Sequence, residues 1–328
     1  MDEIRLGTIG SGPIVHWILD TVCRVEGIAL EAVYSRSAGK GEALAAEYGA
    51  RKVYTSLEAM LADEAVNLVY VASPNSMHYT QAKQALLAGK NVLCEKPFCA
   101  NGDQVRELAA LAERRRLFLI DATPTAFLPN FEAVREQLPR IGRIRLVQCS
   151  YCQYSSRYDL VLKGETPNVF SLAFAGGCLQ DITYYCVHFV MSLFGRPEAA
   201  VYYPNLCATG VDSSGVVMLR YPGFTCECTG SKDTWGVNSV QLQGEKGYIY
   251  VEGGPNGVAG VRVVTRDGET TINRQSDPDR YFYEIQAVTR LVLAGDREAF
   301  RQRLAVTAEV MDVIEACRRQ AGIRFAGE

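Results

Sequence analysis

The chain has 328 residues, 48% hydrophobic and 22% charged, which is typical of an ordered globular protein with about two domains. A formal net charge of −3 gives no indication of binding to nucleic acid or to an anionic membrane. No apolar stretch reaches the roughly 18 residues that span a bilayer, and the N-terminus lacks a secretion signal, so we expect a cytoplasmic protein.

The first predicted strand, residues 4–9, runs into a glycine-rich turn and a helix to about residue 24. The glycines allow a tight turn and a close approach to a pyrophosphate, and the helix N-terminus offers free amide groups. Val15 replaces the third glycine of the dinucleotide-binding fingerprint, which weakens the match. The predicted cofactor-binding residues of this turn are Gly10, Ser11, Gly12, Pro13 and Ile14.

The second predicted strand, residues 28–35, ends without the carboxylate that binds the ribose hydroxyl of NAD. Ser35 and Arg36 stand there instead, and a hydroxyl with a guanidinium group suits the 2′-phosphate of NADP. NADP is therefore favoured over NAD. The alternative is that Arg36 stacks on adenine or lies in solvent, which would leave NAD as the cofactor.

Residues 67–98 have the pattern of a strand, a loop, a helix and a second strand, ending in Glu95-Lys96-Pro97. Lys96 follows the second strand at its carboxyl end, which faces the ligand-binding crevice in an open parallel sheet. Pro97 disfavours the helical region for the residue before it, so Lys96 should be extended. A lysine at a strand end is usually a solvated surface residue, but its place at this crevice makes Lys96 a catalytic candidate.

The rest of the first half continues the alternation of strands and helices, which predicts a doubly wound parallel sheet. Its other elements are helices over residues 37–48, 56–62 and 101–115, and strands near Val53 and over 117–122. A helix over about residues 125–138 leads into a second half of a different kind, an α+β domain with one broad, mostly antiparallel sheet. Its strands are predicted over 143–154, 199–203, 216–221, 224–231, 239–243, 248–252 and 261–264, and its last helices over 279–294 and 298–320.

Gly176 and Gly177 permit a close backbone approach before a helix predicted from about Leu179 to residue 194. On this helix Asp181 and Tyr185 stand at i and i+4, so both should project from one face. The alternative is that these polar side chains cap the helix or bond within the core.

The eleven cysteines, an odd number, lie mostly in apolar segments and indicate free thiols in a reducing compartment. Cys149 and Cys152, and Cys226 and Cys228, are spaced like metal or redox pairs. Neither pair has a second pair or a histidine at ligand spacing, so we predict no metal.

Three segments carry a family resemblance: GTIGSGPI, VASPNSMHYTQAKQALLAGKNVLCEKP and GGCLQDITYYCVHFVMSLFG. Together they resemble the glucose–fructose oxidoreductase, inositol dehydrogenase and MocA (Gfo/Idh/MocA) family, and the likeness covers nearly the whole chain. The resemblance implies an α/β fold, with a Rossmann domain over residues 1–123 and a substrate-binding α+β domain over 124–328. The sheet of the α+β domain would form the interface of a homodimer or homotetramer. It also implies NAD(P)-dependent oxidoreduction of sugars, polyols or related alcohols.

The resemblance also assigns candidate site residues. Tyr185 is similar to the tyrosine of glucose–fructose and dihydrodiol-type members, whereas His188 departs from the aspartate of inositol-dehydrogenase-like members. We predict that Lys96, Asp181 and Tyr185 are catalytic, with Lys96 and Tyr185 able to exchange the proton-transfer role. The further predicted cofactor-binding residues are Ser73, Pro74, Asn75, His78 and Glu95, and the predicted substrate-binding residues are Arg157, Asn168, Tyr184, His188 and Trp235.

Three functional hypotheses follow. The favoured one is an NAD(P)-dependent dehydrogenase or reductase that acts on a small sugar, polyol or diol. The second is a nucleotide-binding regulator that kept the fold and lost turnover. The third is a glycosidase that retains its cofactor and oxidises and re-reduces its substrate within one cycle.

Overall fold

The computed structural model describes residues 3–326 and residue 328. Its contacts divide the chain into two compact units, and each has a β-sheet of its own. The first unit comprises residues up to 99, residues 103–123 and residues 281–307. The second comprises residues 100–102, 124–280 and 308 onward.

Strands and helices alternate through the first third of the chain, and eight further strands lie between residues 144 and 272, before the last two helices. The strands are β1 Ile4–Ile9, β2 Ile28–Tyr34, β3 Lys52–Tyr54, β4 Leu68–Val71, β5 Asn91–Glu95, β6 Leu119–Ala122, β7 Ile144–Cys152, β8 Ala199–Leu206, β9 Asp212–Tyr221, β10 Phe224–Ser231, β11 Ser239–Gly244, β12 Gly247–Glu252, β13 Gly260–Thr265 and β14 Gly268–Ile272. The helices are α1 Pro13–Val22, α2 Ala38–Tyr48, α3 Leu57–Ala62, α4 His78–Leu87, α5 Gly102–Arg115, α6 Pro129–Gln137, α7 Tyr158–Leu162, α8 Tyr184–Phe194, α9 Gly254–Gly257, α10 Arg280–Leu293 and α11 Arg297–Gln320. Within the described residues, none of these helices is long and apolar enough to cross a membrane.

The first unit is built on a six-stranded parallel sheet with the order β3-β2-β1-β4-β5-β6. All residues of β4 and β5 are buried, as expected for inner strands of a sheet that helices cover on both faces. The strand order reverses between β1 and β4, and open sheets of this kind bind ligands beyond the carboxyl ends of the strands at that point. The predicted doubly wound parallel sheet is confirmed.

The second unit contains an eight-stranded sheet with the order β14-β13-β12-β11-β7-β10-β9-β8. Its neighbouring strands are antiparallel, apart from the parallel pair β7 and β10. One face of this sheet packs against α8 through β7 and β10. The predicted broad, mostly antiparallel sheet is confirmed.

Some elements differ from the sequence prediction. Strand β14 was not predicted, because it is an exposed edge strand of mainly polar residues without an alternating apolar pattern. The helix predicted over residues 125–138 is a short 3₁₀ turn over Pro124–Phe127 followed by α6, which begins at Pro129. Proline favours the first position of a helix, so a new helix begins there.

Candidate active site

The turn between β1 and α1 has the shape that a dinucleotide-binding turn requires. Gly10 has a φ of +118°, and a Cβ atom there would lie 2.5 Å from the backbone oxygen of Ala72. Only glycine fits both that conformation and that approach to the end of β4. Gly12 is the N-cap of α1, and a Cβ atom there would meet nothing within 4 Å. The backbone at Gly12 is thus open to a phosphate at a helix N-terminus.

Replacing Gly10 with alanine is expected to lower the free energy of unfolding by about 1–3 kcal/mol, because the positive φ and the clash with Ala72 both penalise a side chain. The matched variant is Gly12→Ala. Gly12 has a φ of −83°, and an added Cβ atom would clash with nothing, so the stability of this variant should stay close to that of the wild type. Chemical denaturation of both variants measures the difference. Equal stability of the two variants would contradict this account of the turn.

Ser35 and Arg36 follow β2, which is the neighbour of β1 in the sheet. Ser35 is buried, and its Oγ accepts a 3.3 Å hydrogen bond from the backbone N–H of Ser37. Arg36 is exposed, and residues 34–37 contain no carboxylate. An exposed guanidinium group at this edge of the sheet can form charge-assisted hydrogen bonds with a phosphate.

His78 connects the loop after β4 to the segment after β5. It is the first residue of α4 and is only 1% exposed. Its ring nitrogens lie 2.8 Å from the backbone oxygen of Ser73 and 2.9 Å from that of Pro97. Burial lowers the pKa of His78, although the two carbonyl groups act in the opposite direction. His78 therefore supports both loops from the interior, and its contact with a cofactor stays a prediction.

Lys96 follows β5 directly and is half-buried, and its peptide bond to Pro97 is cis. The neighbouring Glu95 is buried and accepts a 2.7 Å hydrogen bond from the hydroxyl group of Tyr70. Burial raises the pKa of Glu95 to about 7, although the Tyr70 hydroxyl and the charge of Lys96 favour the ionised form. The pKa of this carboxyl group is therefore close to neutral pH.

The sheet order brings the predicted residues of the first unit together. Strands β2, β1, β4 and β5 are neighbours in that order and run parallel, so the segments that follow them lie along one edge. This edge carries the turn at 10–14, Ser35 and Arg36, the loop at 73–75, and Lys96.

The segment that carries Asp181 in the second unit differs from the single α-helix predicted there. Its first turn, Leu179–Thr183, is π-helical, and α8 begins only at Tyr184. Gly177 has a φ of +121°, and a Cβ atom there would clash with the carboxyl group of Asp212. That carboxyl group accepts a 2.5 Å hydrogen bond from the backbone N–H of Leu179. The π-helical turn is thus anchored to the start of β9, and such turns are frequent at functional sites.

Asp181 is paired with Lys232, a residue that the sequence did not single out. The Lys232 Nζ donates a 2.7 Å hydrogen bond to Oδ2 of Asp181, and the lysine side chain is only 3% exposed. Lys232 follows β10 directly. Lysines are almost always exposed, so nothing in the sequence around this one indicated a buried partner of Asp181.

Tyr185 lies on the first turn of α8 and is 4% exposed. Its ring meets the ring of Tyr151 edge-on, with the centroids 5.5 Å apart, and packs beside Tyr184. Tyr184 is fully buried, and its ring lies 5.6 Å from that of His188, which is 4% exposed. The roles of Tyr184 and His188 in substrate binding stay predictions for two buried side chains.

The other predicted substrate-binding residues are exposed. Arg157 precedes α7, and Asn168 begins a short 3₁₀ helix. Trp235 is 81% exposed, and its indole stacks on the ring of Tyr154 with the centroids 5.7 Å apart. Their contact with a substrate stays a prediction.

All eleven cysteines are free thiols. Among the residues that the structure describes, no group of three or more His, Cys, Asp or Glu side chains could hold a metal ion. Burial raises the pKa of Cys149, Cys226 and Cys228 above the ordinary thiol value, which keeps these side chains protonated.

Two family models together match most of the chain. Residues 4–121 match the model described as "Oxidoreductase family, NAD-binding Rossmann fold", and residues 132–250 match the "GFO/IDH/MocA C-terminal domain". The fold is also that of KijD10, a 3-ketoreductase from Actinomadura kijaniata solved in complex with NADP and TDP-benzene. The TM-score is 0.85 at 23% identity, over 98% of both chains.

Relatives of known name are similar over nearly their whole length. The chain is 33% identical over 326 residues to scyllo-inositol 2-dehydrogenase (NADP(+)) IolU of Bacillus subtilis (strain 168), covering 99% of both chains. It is 33% identical over 324 residues to trans-1,2-dihydrobenzene-1,2-diol dehydrogenase of Macaca fascicularis, covering 94% of this chain and 93% of the relative. The predicted family, enzyme class and type of cofactor are confirmed. The chain therefore belongs to the Gfo/Idh/MocA family of NAD(P)-dependent oxidoreductases.

Proposed function

We propose that the protein transfers a hydride between NADP and a CH–OH or carbonyl carbon of a small sugar, polyol or diol, with Lys96 and Tyr185 at the reacting oxygen. The observation that carries this proposal is the common edge of β2, β1, β4 and β5, along which the glycine turn, Arg36, the 73–75 loop and Lys96 follow four neighbouring parallel strands. Cofactor binding at such an edge brings a lysine next to the bound dinucleotide.

The residues at this edge fit a dinucleotide with a 2′-phosphate. Gly12 leaves the backbone at the start of α1 open for the pyrophosphate, and the exposed Arg36 can bind the additional phosphate. When bound, the nicotinamide ring accepts or donates the hydride. All other steps depend on residues of the chain.

Lys96 and Tyr185 would divide the work at the substrate oxygen. An alcohol must lose its proton as the hydride leaves, and the reverse reaction must protonate a developing alkoxide. The Lys96 ammonium group would stabilise negative charge on that oxygen, and Tyr185 would pass the proton. A phenol with its ordinary pKa near 10 costs roughly 4 kcal/mol to ionise at pH 7, and a nearby ammonium group lowers this cost. Asp181 would orient the substrate hydroxyl or Lys96.

The substrate class is inferred from the relatives. The names of the two similar dehydrogenases refer to an inositol and to a dihydrodiol, which are both ring compounds with neighbouring hydroxyl groups. Exposed polar and aromatic side chains in the 155–177 and 230–237 segments, such as Arg157, Asn168 and Trp235, are suited to bind a compound of this kind. We propose that they select the substrate.

A substrate panel tests the proposed function. Purified protein is mixed with NADP or NADPH and with sugars, inositols, cyclic diols and their keto forms, while absorbance of the reduced cofactor is followed. We expect turnover of at least one CH–OH or carbonyl compound. Tight NADP binding without turnover of any compound would contradict an enzyme and favour a regulator. Glycoside cleavage without a net change in absorbance would instead favour the glycosidase.

Replacing Arg36 with alanine is expected to weaken NADP binding about 10- to 100-fold, because a hydrogen bond to a charged group contributes about 1.5–3 kcal/mol. NAD binding should change much less, since NAD lacks the 2′-phosphate. Isothermal titration calorimetry with both dinucleotides measures the two affinities. An equal loss for NADP and NAD would indicate that Arg36 stacks on the adenine instead.

We also propose that the chain forms a homodimer or homotetramer through the sheet of the second unit, where Val201 and Tyr203 of β8 are exposed. The free thiols suit a reducing compartment such as the cytoplasm.

A further inference from the structure

The side chain of Lys232 is buried among groups of the second unit. Its Nζ donates hydrogen bonds to Oδ2 of Asp181 at 2.7 Å and to the backbone oxygen of Val169 at 3.3 Å, and it lies 4.7 Å from the centre of the Phe170 ring. The lysine side chain is 3% exposed, whereas the Asp181 side chain is 24% exposed. The ammonium group is therefore removed from water, while the Asp181 carboxylate remains partly exposed to solvent.

A buried ion pair of this kind is poor evidence for a role in stability alone. Removing two charges from water costs about as much as their attraction returns, and apolar residues of similar size often stabilise a fold as well or better. The pair does fix one thing, which is the direction of the Asp181 carboxylate. The ammonium group 2.7 Å away holds one carboxylate oxygen in place, and a cation at that distance favours the charged form of a carboxyl group.

The backbone that carries Asp181 is held as firmly as its side chain. Asp212, at the start of β9, accepts hydrogen bonds from the N–H of Leu179 and from the hydroxyl group of Tyr202 at 2.7 Å. One end of the π-helical turn is thus bound to β9, and Asp181 in the same turn is bound to the residue after β10. Tyr185 follows at the beginning of α8. Two strands of one sheet therefore set the position of the turn that leads into Tyr185.

We propose that Lys232 is a positioning residue, whose buried ammonium group keeps the Asp181 carboxylate ionised and oriented on the turn that leads into Tyr185. This inference rests on the proposed function, in which Asp181 orients the reacting groups. It adds Lys232 to Asp181 and Tyr185 as a residue of the second unit on which the reaction depends. Asp212 and the thiol of Cys178 interact electrostatically with Lys232, Cys178 also interacts with Asp181, and the phenol of Tyr202 donates a hydrogen bond to Asp212.

The variant Lys232→Met removes the charge and retains a side chain of similar length. We expect kcat to fall about 100-fold, because Asp181 loses its fixed position. The acidic limb of the kcat profile should also move up by about one pH unit or more, because Asp181 becomes harder to ionise without its ammonium partner. A residue with only a packing role would lower stability without moving this limb. In the double variant Lys232→Met, Asp181→Asn the limb should disappear.

Lys90→Met is the matched control. Lys90 is also buried, at 8% exposure, but its Nζ donates to the backbone oxygens of Asp63 and Val66. This variant should lose stability while its kcat profile keeps the wild-type limbs. Thermal melting provides a readout that is independent of turnover. The double variant at Lys232 and Asp181 should melt higher than either single variant, because each single change leaves one charge buried without its partner.

The outcomes separate the two proposals. A shifted acidic limb in Lys232→Met, an unshifted limb in Lys90→Met and a rescued melting temperature in the double variant support the inference. An active wild type whose acidic limb is unchanged in Lys232→Met overturns the inference and leaves the proposed function intact. A wild type that is inactive on the whole panel overturns the proposed function and the inference that rests on it.

Discussion

Replacing Lys96 with alanine is expected to lower kcat about 100- to 1,000-fold, with a smaller loss of NADP affinity. The ammonium group stabilises charge on the substrate oxygen mainly in the transition state, so its removal should affect kcat more than ground-state binding. Lys96 follows β5 at the edge where the glycine turn and the 73–75 loop also lie, so the position fits a group beside the nicotinamide. Steady-state kinetics and a separate NADP titration measure the two effects.

The surface lysine Lys83 supplies the control for this prediction. It lies on α4 and pairs with Glu107 at 2.6 Å, and its side chain is 38% exposed. Lys83→Ala should therefore leave kcat close to the wild-type value. If Lys96→Ala retains kcat within about threefold while Tyr185→Phe abolishes turnover, charge stabilisation by Lys96 is not required.

The Tyr185→Phe variant should lose about 100- to 10,000-fold in kcat, because it removes the hydroxyl group that passes the proton. Phenylalanine keeps the ring that packs against Tyr151 and Tyr184, so the variant should still fold. The pH profile separates the two proton-transfer assignments. If Tyr185 transfers the proton, the kcat profile of Lys96→Ala will retain the limb that reports this group. The same limb will be absent from the profile of Tyr185→Phe.

Tyr151→Phe is the control for the aromatic cluster. Its hydroxyl group donates to Gln153 at 2.9 Å and accepts from the amide of Asn256 at 2.9 Å, so the variant loses two hydrogen bonds next to Tyr185. We expect a loss of stability of about 1–3 kcal/mol and a nearly unchanged kcat. A similar fall in kcat for Tyr151→Phe and Tyr185→Phe would indicate that packing of the cluster, and not proton transfer, is what Tyr185 contributes.

The first unit could be predicted largely from local sequence. Buried parallel strands such as β4 and β5 are short continuous apolar runs, and each is followed by turn residues that mark its end. Once these strands are taken as neighbours in a parallel sheet, Lys96 must lie at the same edge as the glycine turn. Gly10 could also be understood from sequence, because a positive φ at a tight turn requires glycine.

The second unit was harder to predict because its site depends on contacts between distant segments. Lys232 and Asp181 are 51 positions apart, and no period or spacing in the sequence links them. The π-helical turn at 179–183 was also missed, since helical spacing of apolar residues does not distinguish a π turn from an α turn. Its anchoring by Asp212 and the close approach of Gly230 to Thr183 are tertiary features.

His78 has contacts that the sequence could not predict. The sequence predicts it as a cofactor-binding residue, together with Ser73, Pro74 and Asn75. In the structure it begins α4 and joins the backbone of Ser73 to that of Pro97. Spacing located the side chain, but only coordinates could identify the two carbonyl groups that it contacts.

The most direct test of the central claim is a crystal structure with NADP and an alcohol found active in the panel. The account predicts that Nζ of Lys96 and Oη of Tyr185 both lie within about 3.2 Å of the same substrate oxygen, next to the nicotinamide. The account would be contradicted by a complex in which either atom lies beyond hydrogen-bonding distance of that oxygen and no water bridges the two.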